Sequence, residues 1–399
     1  MSSIEPMTIF AAVTTGMGTG ALSTIQVFGN SPEALIKQIF RPRGTRPPVF
    51  KTGDILIGTI CQGDQVIDEV TIGCEGPATF AIHCHGNPLI VELIMEQLQR
   101  CGATLLTAEQ LLAKTLMAQQ LTDTIAVEAK LAQAEARTLQ GTKIVANQLN
   151  AGLGKKARHW LANIAEISLE TITAEAAQIL QESQAAKLII CGCTVVLAGP
   201  PNSGKSTLAN HLAGRRKSIV TGVRGTTRDW VEATCQIGPL SVTLIDTAGL
   251  GAELLGSEDT VEQAAREKTT QILERADLVM LVLDVSRPAE ELDRQIIEKL
   301  AGKNVIGVLN KSDLPARFDT GTLPRTFSNI VRISAREGTG IGRLKEEICR
   351  TVGVADVDPH QPVCFTTRQE TLLKQITTAQ SAQDAASIIT ELLSGPVRV

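Results

Sequence analysis

The chain has no tyrosine, and aromatic residues fill only 3% of its 399 positions. Nucleic-acid modules that stack bases need exposed rings, so stacking platforms are scarce here. A formal net charge of −4 removes a second signature, the broadly basic domain. Any RNA contact is left to a local basic patch: Arg41, Arg43 and Arg46 in RPRGTRPP, or Lys155, Lys156 and Arg158 in GKKARHW. Solvated loop and helix charges are the favoured reading of both. No run approaches eighteen apolar residues, so no membrane span is expected. The start, MSSIEPMTIF, lacks the basic flank and apolar stretch of a signal peptide. Nine cysteines, odd in number and scattered, do not spell a disulfide framework. They read as reduced thiols, and the expected location is the cytoplasm.

What is present is a chain rich enough in apolar residues (43%) to bury two or three domains. Residues 1–105 mix β-prone runs (TIFAAV, STIQVF, DILIGTI, DEVTIG) with one helical stretch, PLIVELIMEQLQR. They predict a small N-terminal α+β domain. From 106 to 190 the texture turns to Ala, Leu, Gln and Glu at helical spacing, including IAVEAKLAQAEARTLQ. From 191 to 354 strands and helices alternate, predicting a doubly wound, mostly parallel sheet. Residues 355–399 return to helix. The expected architecture is multidomain α/β: the 191–354 domain is inserted in an α-helical domain built from 106–190 and 355–399.

GPPNSGKST at 199–207 follows the apolar run CTVVLA and fits G-x-x-x-x-G-K-[ST]. Its glycines let the backbone N–H groups of Asn202 to Thr207, including Ser203 and Gly204, wrap a phosphate. Lys205 would neutralise the β/γ-phosphates and Ser206 would ligate Mg²⁺. NKSD at 310–313 closes the strand NVIGVLNK. A carboxylate offers only acceptors, which suits guanine's N1–H and N2–H₂ edge and not adenine. Asp313 is the expected reader, with Asn310 and Lys311 bracing the loop and packing on the ring. Ser334 and Ala335 in ISA would bring a backbone N–H near guanine O6. DTAG supplies Asp246 for Mg²⁺ through water, and Gly249 to sense the γ-phosphate. GTTRD supplies Thr227 as a further Mg²⁺ ligand. The domain therefore reads as a P-loop GTPase binding GTP or GDP, with two loops that switch on γ-phosphate loss. Leu250 stands where many GTPases carry the water-orienting Gln after D-x-x-G.

GPPNSGKST, TGVRGTTRD and DTAGLG, with IHCHG at 82–86 and LAQAEAR at 131–137, resemble the tRNA modification GTPase family MnmE, also called TrmE. The resemblance covers nearly the whole chain. It implies a potassium ion near the phosphates, held at Asn202, Thr221, Val223 and Thr226, in place of an arginine finger. Gly222 and Arg224 depart from the family pattern, and Arg224 adds a positive charge beside that ion. The family's water-orienting glutamate matches Glu262, with Ala265 replacing a glycine; Asp259 with Glu262 also spells a helix-capping box. Glu262, Lys205 and Thr227 are thus the expected catalytic residues.

The resemblance further implies a homodimer, a flavoprotein partner (MnmG), tRNA as substrate and 5-formyltetrahydrofolate in the N-terminal domain. That folate site is expected to be eroded. Gln26 stands for the family's Arg, Ala81 for its Glu, and Gln119 and Gln120 for its Lys, and the chain stops before the C-terminal cysteine motif. His83, Cys84 and His85 read as structural, since no carboxylate or second Cys pair is expected close by. The glycines of TTGMGTG read as a turn. The primary expectation is Mg²⁺-dependent hydrolysis of GTP to GDP and phosphate. A full tRNA-modifying component and a non-catalytic GTP-dependent switch or assembly module stand as alternatives.

Overall fold

A computed structural model describes residues 8–16, 18, 20–44, 49–118, 123–214, 218–219, 231–246, 272–288, 300, 302–322 and 329–397. The chain divides into two compact units, residues 1–123 with 397–399, and Thr124–Pro396.

In the first unit a seven-stranded sheet is described, in the order β3-β4-β5-β6-β2-β1-β7. Its strands are β1 (Ile9–Val13), β2 (Leu22–Gly29), β3 (Phe40–Pro42), β4 (Ile55–Gln62), β5 (Gln65–Gly76), β6 (Thr79–His85) and β7 (Ala103–Leu105). All pair antiparallel except β1 with β7. Alternation does the work on β2, where Ser23, Ile25 and Val27 point inward and Thr24 and Gln26 face away. Helices α1 (Pro32–Ile39) and α2 (Pro88–Arg100) cover the inner face. Each opens on a proline that is pre-set for the first turn, and Asn87 caps α2 by accepting from the Leu89 N–H at 3.0 Å. A third helix, α3 (Ala108–Ala118), closes the unit.

The second unit begins with four helices: α4 (Thr124–Glu135), α5 (Leu139–Asn150), α6 (Leu153–Ala162) and α7 (Leu169–Cys191). The single helical run expected over IAVEAKLAQAEARTLQ is broken between α4 and α5. Thr138 leaves helical geometry and accepts from the Gly141 N–H at 2.9 Å, while the Arg137 N–H donates to Ile190 O at 3.0 Å. A side chain that caps a new helix and closes the end of α7 outweighs propensity.

Strand β8 (Cys193–Ala198) follows, then α8 (Lys205–Ala213), β9 (Ser218–Ile219), β10 (Val231–Ile237), β11 (Leu240–Asp246), β12 (Leu278–Asp284), β13 (Val305–Asn310) and β14 (Ile330–Arg332). The described sheet runs β14-β13-β12-β8-β11-β10-β9. The five strands from β14 to β11 are parallel, and β10 and β9 are antiparallel. β12 and β13 are buried along their whole length, as strands covered on both faces must be. Val195, Leu197, Met280 and Val282 point into one core and Val196, Ala198, Leu281 and Leu283 into another.

Helices α9 (Ile341–Thr351), α10 (Thr367–Thr377) and α11 (Ala382–Ser394) complete the unit. A buried cluster ties the last two to α4. Arg368 donates to both oxygens of Glu128, at 2.7 and 2.9 Å, and Gln369 Nε2 donates to Glu128 Oε2 at 2.7 Å. Arg368 also donates to the carbonyls of Glu391 and Leu392 near the end of α11. A carboxylate this deeply buried is tolerable only because every lone-pair direction finds a donor.

Candidate functional site

Parallel strands deliver their loops to one edge of the sheet, beyond the strands' carboxyl ends. β8 hands over to the phosphate-loop sequence at Gly199, where φ is +137° and a Cβ would lie 2.1 Å from the Val282 carbonyl oxygen. Asn202 (φ +60°) and Gly204 (φ +95°) curl the loop before α8 begins at Lys205. The free N–H groups of that first turn make an anion site of the loop. Lys205 is 5% exposed, and its Nζ donates to the carbonyls of Gly199 and Pro200, each at 2.9 Å. An ammonium has three N–H donors, so among the described residues one remains for a ligand. Burial pulls the Lys205 pKa below its ordinary value, against the opposing pull of the Asp246 charge. Ser203, only 1% exposed, keeps its hydroxyl buried without a hydrogen-bond partner among the described residues.

Ser206 at the head of α8 and Asp246 at the end of β11 come together. Ser206 Oγ donates to Asp246 Oδ2 at 2.6 Å. A hydroxyl and a carboxylate are the hard oxygen donors a Mg²⁺ site takes, one directly and one through water. Thr207 continues α8 beside them.

At the end of β13, Asn310 is 2% exposed and bridges two loops. Its Nδ2 donates to Ser203 O at 2.9 Å, and its Oδ1 accepts from the Ala335 N–H at 2.9 Å. Both backbone N–H groups that ISA offered for guanine O6 are thus engaged within the protein, that of Ala335 with Asn310 and that of Ser334 with the Thr339 carbonyl at 3.0 Å. Lys311 adopts φ +63°, and its Nζ donates to Asp284 Oδ2 at 2.6 Å. Asp313 is exposed; a hydrogen bond from Ser334, with smaller help from its own backbone, Arg336 and Lys311, holds its carboxyl below the ordinary range. Asp284 was not among the residues singled out in the sequence. An aspartate closing the strand LVMLVLDV carried no mark that it reaches the NKSD loop.

Thr221, Gly222, Val223, Arg224, Thr226, Thr227, Gly249, Leu250 and Glu262 lie outside the described residues, as do Gln119, Gln120 and Arg46. In the first unit, Gln26 and Ala81 face each other across β2 and β6, and Gln26 Nε2 donates to Glu75 Oε2 at 2.9 Å. The expectation that no carboxylate attends the histidines is corrected. Asp68, seventeen positions earlier, binds His85 through its N–H at 2.8 Å and its Nδ1 at 2.7 Å. His83 Nδ1 bonds Thr24 Oγ1 at 3.0 Å. Among the described residues no three His, Cys, Asp or Glu side chains group to hold a metal.

A phosphate-loop turn between β8 and α8, a Ser–Asp oxygen pair and an NKSD corner share one edge of a parallel sheet, which defines a P-loop GTPase domain. Residues 194–311 match the family model described as 50S ribosome-binding GTPase. The chain is 31% identical over 380 residues to the tRNA modification GTPase MnmE of Heliobacterium modesticaldum, covering 86% of this chain and 80% of that protein. To the MnmE of Aquifex aeolicus it is 29% identical over 395 residues, covering 91% and 86%. Among solved structures, Era in complex with MgGDPNP and nucleotides 1506–1542 of 16S ribosomal RNA shares 30% identity over 40% of this chain and 56% of its own, at a TM-score of 0.32. The chain belongs to the tRNA modification GTPase MnmE family, and it is a GTP-hydrolysing enzyme that uses a guanine nucleotide and Mg²⁺. No described helix is long and apolar enough to cross a membrane.

Proposed function

We propose that this chain hydrolyses GTP at the sheet edge built by the phosphate loop and the NKSD corner, and that its G domain, 191–354, is inserted in a helical domain of 106–190 and 355–399. The observation that carries the reading is the Asn310 bridge, which ties the base-reading corner to the phosphate loop through Ser203 and Ala335. Two features of the loop support the fit of a phosphorylated ligand: the buried Ser203 hydroxyl, which has no partner among the described residues, and Gly204, where a Cβ would lie 2.2 Å from Asn310 Nδ2. Asp313, oriented by Ser334, reads the guanine edge. Lys205 holds the β/γ-phosphates. Ser206, Asp246 and Thr227 would hold Mg²⁺, which supplies charge neutralisation at the phosphates when bound. Glu262 aligns the attacking water, and Gly249 senses the γ-phosphate. Asn202, Thr221, Val223 and Thr226 are the proposed potassium contacts.

Membership of the family brings tRNA wobble-uridine modification, a homodimer and the flavoprotein partner MnmG to this chain as proposals, in the cytoplasm. Within that role the folate site reads as eroded. Two neutral side chains, Gln26 and Ala81, oppose each other where charged ones would recognise a carboxylate and a pterin. Phosphate release from GTP, measured with potassium and with sodium, tests the catalytic reading. Turnover in wild type that falls by about 10²-fold or more in Lys205→Ala is expected. Absence of turnover at micromolar enzyme in both salts would favour the switch or assembly reading. Fluorescence titration with a reduced folate tests the other arm, and saturable binding there would contradict erosion.

A further inference from the structure

Asp284 ends β12 directly opposite Asn310, which ends β13. It is 8% exposed, and four donors from three residues face its carboxylate. Ser286 donates to Oδ1 through its backbone N–H at 2.9 Å and its hydroxyl at 2.7 Å. Lys311 Nζ donates to Oδ2 at 2.6 Å, and Arg287 Nε stands 3.7 Å from the same oxygen. Burial pushes the carboxyl up, but the Lys311 and Ser286 hydrogen bonds more than offset it, so its pKa lies below the ordinary value. Asp284 is therefore a fixed negative charge beside the loop that carries NKSD.

Lys311 needs such a partner. Its φ of +63° is a left-handed conformation that a residue with a side chain adopts only at a cost. Strain of that kind persists only where the surroundings over-determine it. Two bonds do so here: the Asp284 contact, and the Leu314 N–H donating to Lys311 O at 2.9 Å. The side chain is 31% exposed, so without Asp284 a long flexible amine would sample several rotamers.

We propose that Asp284 is a positioning residue of the guanine corner, holding Lys311 in one conformation so that the base pocket is organised before nucleotide arrives. The inference rests on the reading of NKSD as that corner. It adds a residue outside the phosphate-loop, DTAG, NKSD and ISA sequences, and assigns its effect to the nucleoside half of the ligand.

A double-mutant cycle tests it, with GDP binding measured by calorimetry on the full chain. Asp284→Ala and Lys311→Ala are each expected to weaken GDP about tenfold, and the double variant is expected to lie within about twofold of either single one. In GTP turnover the Asp284→Ala loss falls on KM and not on kcat. Should Asp284→Ala fail to fold, Asp284→Asn carries the same cycle, since it keeps the side chain's size and an oxygen for Ser286 while removing the charge. Additive losses, a loss confined to kcat, or wild-type affinity in either single variant would overturn the role of Asp284 while leaving the guanine site standing. Failure of the wild-type chain to bind GDP would sink the site reading itself, and the proposal with it.

Discussion

Replacing Asn310 by alanine probes how the two halves of the site are joined. The side chain is almost wholly enclosed, and its two bonds, to Ser203 O and from the Ala335 N–H, are both 2.9 Å long. Each such bond contributes about 1 kcal/mol net, and a buried partner left unsatisfied costs about 1–3 kcal/mol. Ser203 and Ala335 are themselves buried, so water cannot readily replace the lost amide. Asn310→Ala should therefore destabilise the folded chain by about 2–4 kcal/mol and loosen GDP binding with it. Asn310→Asp sharpens the test. It keeps an acceptor for the Ala335 N–H but turns the donor that faces the Ser203 carbonyl into an oxygen, so it should cost at least as much. Urea unfolding followed by circular dichroism, with GDP titrations alongside, reads both effects. If the alanine variant unfolded within about 0.5 kcal/mol of wild type, the range of an ordinary surface change, the bridge would carry none of the load assigned to it.

Ser203→Ala should move the other way, raising stability of the nucleotide-free chain by about 1–2 kcal/mol in urea unfolding, because it removes a buried hydroxyl with no partner among the described residues; a loss would mean that hydroxyl has a partner. The Glu370 carboxyl is held at about 2 by hydrogen bonds from Lys187 and Lys374, so its contribution is present above the ordinary glutamate value of about 4.5 and is lost as pH falls toward 2. The difference in unfolding midpoint between wild type and Lys187→Met should accordingly be constant near neutrality and close across that window; a gap that persists at pH 2 would contradict the pairing. Burial pushes the Cys193 thiol up to about 12 and the Cys84 thiol up to about 11, so iodoacetamide at pH 8 should leave both unmodified in the folded chain, as peptide mass spectrometry would show.

The parts of this molecule legible in the sequence are those fixed by local chemistry. Pro88 behind Asn87 announces α2, which begins and ends where the pattern placed it. The apolar runs of β12 and β13 announce buried parallel strands, and GPPNSGKST announces the turn into α8. What escaped depends on distance along the chain. Asp284 meets Lys311 across 27 residues and Asp68 meets His85 across 17. Neither pair has a spacing rule, because the sheet and not the local backbone brings the partners together. The break at Thr138 escaped for a related reason: its Oγ1 also donates to Ile189 O, 51 residues away, and that tertiary bond holds the cap in place.

The central claim is that the exposed carboxylate of Asp313 selects the base. An aspartate accepts from both N1–H and N2–H₂ of guanine, whereas an asparagine amide offers one acceptor and one donor, which matches the N1–H and O2 of xanthine. Calorimetry of GDP and XDP with wild type and Asp313→Asn is the most direct test. The wild-type chain should favour GDP and the variant XDP, each by about 10²-fold or more, since a polar site rejects a ligand that leaves its groups unpaired. A variant that kept its preference for GDP, or a wild-type chain that bound both diphosphates alike, would contradict the account.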